Sequence, residues 1–134
     1  MIRRLGHIAL ATRSMDALLE FFQDVLGMEL EGLEIVQDQK VRVGVLRVGN
    51  ASIELLEPTE ADSPVGRFLS RRGEGFHHLT LEVDDIDASL QRLKERNVRL
   101  IDERPRTGAG GRRIAFIDPH STGGVLIELC ETRE

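Results

Sequence analysis

His7-Ile8-Ala9-Leu10 is answered by His78-Leu79-Thr80-Leu81, 71 residues further along. At the same spacing Met15-Asp16-Ala17 is answered by Ile86-Asp87-Ala88, and Leu19 by Leu90. Towards the end of each half, Ile53-Glu54-Leu55 is answered by Ile127-Glu128-Leu129, 74 residues on. Chance could supply one such match; three in the same order describe an internal duplication.

Each half reads the same way. Leu5–Thr12 and Phe76–Val83 alternate as strands. A helix follows each strand. The first opens at Ser14, a good N-cap residue, runs through Met15, Leu18, Leu19 and Phe22, and stops at Gly27. The second opens at Asp84 or Asp85 and runs through Ile86, Leu90 and Leu93 to Asn97. Three extended stretches then complete each half: 29–36, 41–48 and 51–56 in the first, with Gly49-Asn50 as a hairpin turn, and 99–104, 112–117 and 124–130 in the second. Residues 58–75 form the connector, with a short helix predicted through Val65, Phe68 and Leu69. Thr107 to Gly111, with three glycines in five residues, reads as a mobile loop. The predicted class is α+β: two tandem βαβββ modules forming a curved mixed sheet around a metal site. They make one domain over residues 1–134, with module 1 at about 3–58, the connector at 59–74 and module 2 at about 75–132.

Composition narrows the function. A chain of 134 residues is one domain's worth. Its 23 acids against 18 bases give a net charge of −5, which speaks against a nucleic acid or an anionic membrane as partner. Five Phe, no Tyr and no Trp leave no platform for base stacking. No apolar run approaches the roughly 18–20 residues of a membrane helix. The N-terminus, Met1-Ile2-Arg3-Arg4-Leu5-Gly6-His7, lacks the apolar core of a signal peptide. The single cysteine, Cys130, rules out an intrachain disulfide framework, so the expectation is a reduced, cytoplasmic protein.

Strand alternation sorts the side chains into two faces. Ile8 and Leu10, Leu79, Leu81 and Val83, Ile53 and Leu55, and Val125, Ile127 and Leu129 form four apolar rows that pack against helices. The opposite faces carry His7, Glu54, His78 and Glu128 among small residues, a lining that suits a cavity. A lone strand histidine is usually structural and a lone strand glutamate usually solvated. Here both recur in both halves, and a pseudo-two-fold axis would bring all four to one point. Two imidazoles and two carboxylates suit a divalent metal such as Zn²⁺, Co²⁺, Ni²⁺ or Mn²⁺, with two octahedral positions left for water or substrate. His77 falls on the apolar side by alternation and reads as a packing or supporting residue, and Cys130 as inert packing.

At this level the chain resembles the vicinal oxygen chelate superfamily, which includes glyoxalase I, and within it the methylmalonyl-CoA epimerase family. The resemblance is carried by Gly6-His7-Ile8-Ala9, Ile53-Glu54-Leu55-Leu56-Glu57-Pro58, Ser63-Pro64-Val65-Gly66-Arg67-Phe68-Leu69, Arg72-Gly73-Glu74-Gly75-Phe76-His77-His78-Leu79, Gly108-Ala109-Gly110-Gly111 and Gly123-Gly124-Val125-Leu126-Ile127-Glu128-Leu129. These segments span nearly the whole chain. The metal quartet is shared with glyoxalase I, whereas the connector leading into Gly-Glu-Gly-x-His-His is more particular to the epimerases. The resemblance implies a divalent metal, often cobalt in vitro, on His7, Glu54, His78 and Glu128. It further implies an acyl-CoA thioester substrate, interconversion of (R)- and (S)-methylmalonyl-CoA, and a homodimer.

That chemistry accounts for the residues. Removing the C2 proton of a malonyl thioester puts negative charge on the thioester oxygen, which a Lewis acid stabilises. Epimerisation then requires proton exchange on both faces of a planar intermediate, hence two acid/base groups; Glu128 and Glu54 are the pair related by the pseudo-axis. The chain also departs from the family. Some members carry a non-ligand glutamate near the position of Val43, where this chain has no acid, and some carry Gln at the Glu54 position. Asp118-Pro119-His120 stands where His-Pro-Lys is common in the family, so His120 reads either as a substrate contact in place of that lysine or as a solvated turn residue, and Arg67, Arg71, Arg72 and Arg112 are candidates to meet the phosphates of coenzyme A. The alternative functions are a glyoxalase I-type isomerase of a glutathione hemithioacetal, a non-catalytic binding module of the same fold, and an extradiol dioxygenase using two histidines and one glutamate around iron.

Overall fold

Strand β1 (Ile2–Ala11) runs into Ser14, whose hydroxyl accepts from the Ala17 N–H and starts helix α1 (Met15–Leu19). The computed structural model describes residues Met1–Arg133. After α1 the chain widens into a π-helical turn, Glu20–Val25, before Gly27 ends it at φ 71°. The stop is where the sequence places it; the π-helical second half is not legible in the apolar spacing. There follow β2 (Leu30–Val36), β3 (Val41–Val48) and β4 (Ala51–Pro58), then α2 (Pro64–Arg72), capped by Ser63 and entered through Pro64. The second repeat contains β5 (Gly75–Val83), α3 (Ile86–Glu95) capped by Asp85, β6 (Arg106–Thr107), β7 (Arg113–Ile117) and β8 (Ile127–Glu131).

The described chain forms two compact units. One is His7–His77; the other is Met1–Gly6 together with the chain from His78 onward. In the first unit the strands lie in the order β2-β3-β4-β1, and β1 and β4 are parallel. One face packs under α1: Met15, Leu46 and Leu55 are fully buried against Leu10, Leu18, Leu19, Phe22 and Ile53. On the other face Ala9 and Ala11, at 0% and 1% exposure, meet Val41, Val43 and Leu56 beneath Val65 and Leu69 of α2. This corrects one expectation. The small residues of the histidine-bearing face do not all line a cavity, because two alanines let the connector helix close over that end of the strand. Gly66 makes the closure possible, since a Cβ there would lie 2.2 Å from the carbonyl oxygen of Ala61.

The second unit carries the order β1-β5-β8-β7-β6, with β5 and β8 parallel. Ile86 and Leu90 of α3 bury Val83, Ala115, Ile117 and Leu129. Two expected strands are revised. Arg99–Arg104 is not a strand: only Leu100 bridges to Ile117, and the amides of Ile101 and Asp102 both point to the carbonyl of Phe116. The Asp102 carboxylate then takes the Phe116 N–H at 2.8 Å, doing the work of a ladder carbonyl, and Pro105 cannot donate. The predicted strand 124–130 begins only at Ile127, because Gly123 and Gly124 adopt φ of 76° and 96° in a tight turn. The glycine segment expected as a mobile loop is the turn of the β6–β7 hairpin, with Gly110 and Gly111 at positive φ.

The duplication reaches further than the matched triplets. In the first unit the Glu57 carboxylate accepts from the Met15 N–H at 2.8 Å; in the second, Glu131 accepts from Ile86 at 3.0 Å. Each fourth strand thus sends a carboxylate to the first turn of its own helix, where unpaired amides and the helix dipole favour negative charge.

Candidate metal centre

Both histidine–glutamate pairs are built on the same register. In the first unit Ala9 of β1 stands beside Glu54 of β4, and His7 lies two residues earlier on the same face. The Nδ1 of His7 is 3.1 Å from Oε2 of Glu54, and the two side chains are 14% and 13% exposed. In the second unit Thr80 of β5 stands beside Glu128 of β8, with His78 two residues earlier. The Nε2 of His78 is 3.4 Å from Oε1 of Glu128, at 6% and 9% exposure. Within each unit, the structure therefore brings together the two predicted site residues that belong to it.

The pairs differ in one respect. The hydroxyl of Thr80 donates to Oε1 of Glu128 at 2.5 Å. The corresponding residue in the first unit is Ala9, which has no hydroxyl. The Glu128 carboxylate thus accepts from a hydroxyl that has no counterpart at Ala9, so the two glutamates have unequal surroundings. Sequence reading registered Thr80 only as a small residue of the site face. Phe116, across the β7–β8 ladder from Glu128, sets its ring edge-on to the His78 imidazole with centroids 5.5 Å apart.

Glu82 continues the His78–Thr80 row and is not a site group. Burial pushes its carboxyl up, but hydrogen bonds and charge from Arg4 and Arg112 outweigh that and hold it below the usual carboxylate range. Gly6 is the residue that lets β1 pass so close here, its missing Cβ lying 3.2 Å from carbons of Thr80 and Glu82. His77 packs edge-on against Phe68 at 4.7 Å, as alternation suggested. Cys130 is buried with Ile114 and Phe116. Val43 sits in the apolar cluster under α2, and the acid opposite it in the β2–β3 register is Glu34. Arg112 is engaged by the Glu131 carbonyl and by Glu82, and Arg67 by Asp62, while Arg71, Arg72 and His120 are exposed.

The donor set fits a divalent cation. His7, His78 and Glu128 are residue types that ligate one, and imidazole nitrogen with carboxylate oxygen suits the borderline first-row metals. Among the described residues no helix is long and apolar enough to cross a membrane.

A strand-paired histidine and glutamate, repeated in two βαβββ halves, define the class of the protein. The family model described as Glyoxalase/Bleomycin resistance protein/Dioxygenase superfamily matches residues 6–116. The ethylmalonyl-CoA/methylmalonyl-CoA epimerase of Cereibacter sphaeroides is 36% identical over 96% of this chain and 98% of its own. The crystal structure of methylmalonyl-CoA epimerase from Mycobacterium tuberculosis superposes with a TM-score of 0.94 at 39% identity, covering 99% of this chain and 90% of that one. A variant of the Streptomyces coelicolor methylmalonyl-CoA epimerase, in complex with 2-nitronate-propionyl-CoA, superposes with a TM-score of 0.95 at 35% identity, covering 99% and 96%. The chain belongs to the methylmalonyl-CoA epimerase family of this α+β superfamily and is an enzyme of the epimerase class.

Proposed function

We propose that this enzyme interconverts (R)- and (S)-methylmalonyl-CoA by removing and returning the C2 proton, with a divalent metal on His7, Glu54, His78 and Glu128. The observation that carries the reading is the recurrence of one histidine–glutamate pair at the same parallel register in both units. The names of the relatives supply the substrate: two are methylmalonyl-CoA epimerases, and a third is named an ethylmalonyl-CoA/methylmalonyl-CoA epimerase, so a malonyl thioester with a larger α-alkyl group is a second candidate. Cobalt is the metal we favour in vitro, with zinc, nickel and manganese compatible with the same donors.

A divalent cation at these residues supplies Lewis acidity that stabilises charge developing on the thioester oxygen. The protein supplies the proton transfers. Glu54 and Glu128 exchange the C2 proton from opposite faces, and the hydroxyl held on Oε1 of Glu128 orients that carboxylate. His7 and His78 stand 3.1 and 3.4 Å from the carboxylates of Glu54 and Glu128 and would hold the cation together with them. The chain acts in this reading as a single two-module domain and as a cytoplasmic homodimer.

Deuterium uptake at C2 of methylmalonyl-CoA in D₂O is the test, with metal-loaded protein beside a chelated control. The expected outcome is rapid uptake that the chelator abolishes. Uptake no faster than the control would remove the assignment, and turnover of a glutathione hemithioacetal would replace it with the glyoxalase I-type reading, which uses the same donor set.

A further inference from the structure

Resting on the acyl-CoA reading above, we infer that Arg106 is an anion clamp for the substrate, donating through the fork of its guanidinium to a carboxylate or phosphate group. The side chain makes its closest approach to Asp102 through Nε, 3.1 Å from Oδ1. Among the described residues its two terminal nitrogens make no hydrogen bond to protein. The guanidinium carbon stands 5.5 Å from the centroid of Phe116, whose ring meets the His78 imidazole edge-on at 5.5 Å. Asp102, 16% exposed, uses its other oxygen to accept from the Phe116 N–H at 2.8 Å. One carboxylate therefore fixes both the strand that carries the ring and the cation laid over it.

This arrangement differs from a solvated surface arginine. An arginine serving only to neutralise Asp102 would turn its fork to the carboxylate, the stronger bidentate geometry. Here Nε takes the internal contact and the ring supports the flat cation. The fork remains for an outside group, and 44% of the side chain is exposed to meet one. A planar pair of N–H donors matches two oxygens of a single anion, which is why arginine and not lysine suits the role. An acyl-CoA of a dicarboxylic acid carries two such anions, the free carboxylate and the phosphates.

Calorimetric titration of metal-loaded protein decides the matter without turnover. The probes are malonyl-CoA, whose C2 is not stereogenic, and S-malonyl-pantetheine, which lacks phosphates. Arg106→Met keeps the stem over Phe116 and removes the fork; Arg106→Lys keeps the charge and removes the planar geometry. Loss of a charged hydrogen-bond partner predicts a rise of about ten- to hundred-fold in Kd for Arg106→Met and a smaller rise for Arg106→Lys. Weakening for the CoA ester alone assigns the anion as phosphate, and equal weakening for both assigns it as the carboxylate. Unchanged Kd for both probes overturns the inference, as does a fall in kcat with Kd unchanged, which would mark a residue acting through Phe116. Wild-type protein that binds malonyl-CoA through Arg106 but exchanges no deuterium would refute the epimerase reading and leave the clamp standing.

Discussion

Thr80 and Ala9 occupy the same place in the two halves, and the difference between them is one hydroxyl. Thr80→Val removes a donor from a buried carboxylate, at about 1–3 kcal/mol. The carboxylate then loses the group that orients it, so deuterium exchange at C2 is expected to slow in Thr80→Val and to be retained in Thr80→Ser, which keeps the hydroxyl. Glu54 and Glu128 are separated by stereochemistry. With Glu54→Gln, deuterium is expected to enter one epimer still, while inversion slows by about 10²–10⁴, so the ratio of exchange to epimerisation rises. Equal losses of both rates would show that Glu54 serves the metal alone. Glu82 makes a different prediction. Its carboxyl is lowered in the folded protein, so it contributes stability that is present above the ordinary carboxylate value of 4.5 and lost as pH falls through the folded value. Acid unfolding of Glu82→Gln should begin from a lower stability at neutral pH and show a weaker pH dependence between about 5 and the folded value than the parent.

At the scale of elements, the connector helix rests on a close approach. Gly66→Ala places a methyl group 2.2 Å from the Ala61 carbonyl, so α2 must shift off Ala9 and Ala11; overpacking of this kind costs about 1–3 kcal/mol, visible as a lower Tm. Much at this scale was legible. Ser14 and Asp85 announce their helices because capping is local chemistry, and the strand pairs carrying His7 and His78 follow from alternation. The segment 99–104 was not legible, because its fate depends on a distant amide: the Asp102 side chain reaches Phe116, 14 residues away, and no pattern of apolar residues reports that. The clamp geometry of Arg106 was hidden for the same reason. Thr80 was visible as a residue but not as a donor, since its role needs the β5–β8 register.

At the scale of the whole molecule, the duplication is written into hydrogen bonds as well as letters. Glu57 and Glu131, identical residues at the same 74-residue spacing as Glu54 and Glu128, hold their helices alike, and Glu54 and Glu128 occupy like registers. The compact units, however, do not coincide with the repeats. Met1–Gly6 belong with the second unit, where Arg4 meets Glu82 at 3.0 Å and Gly6 fits against Thr80. A gene fragment opened at the second repeat would encode a polypeptide missing the Arg4 that pairs with its own Glu82. The tandem message and the packed unit are out of phase by that short N-terminal stretch, so scissors placed by homology would cut through a compact unit.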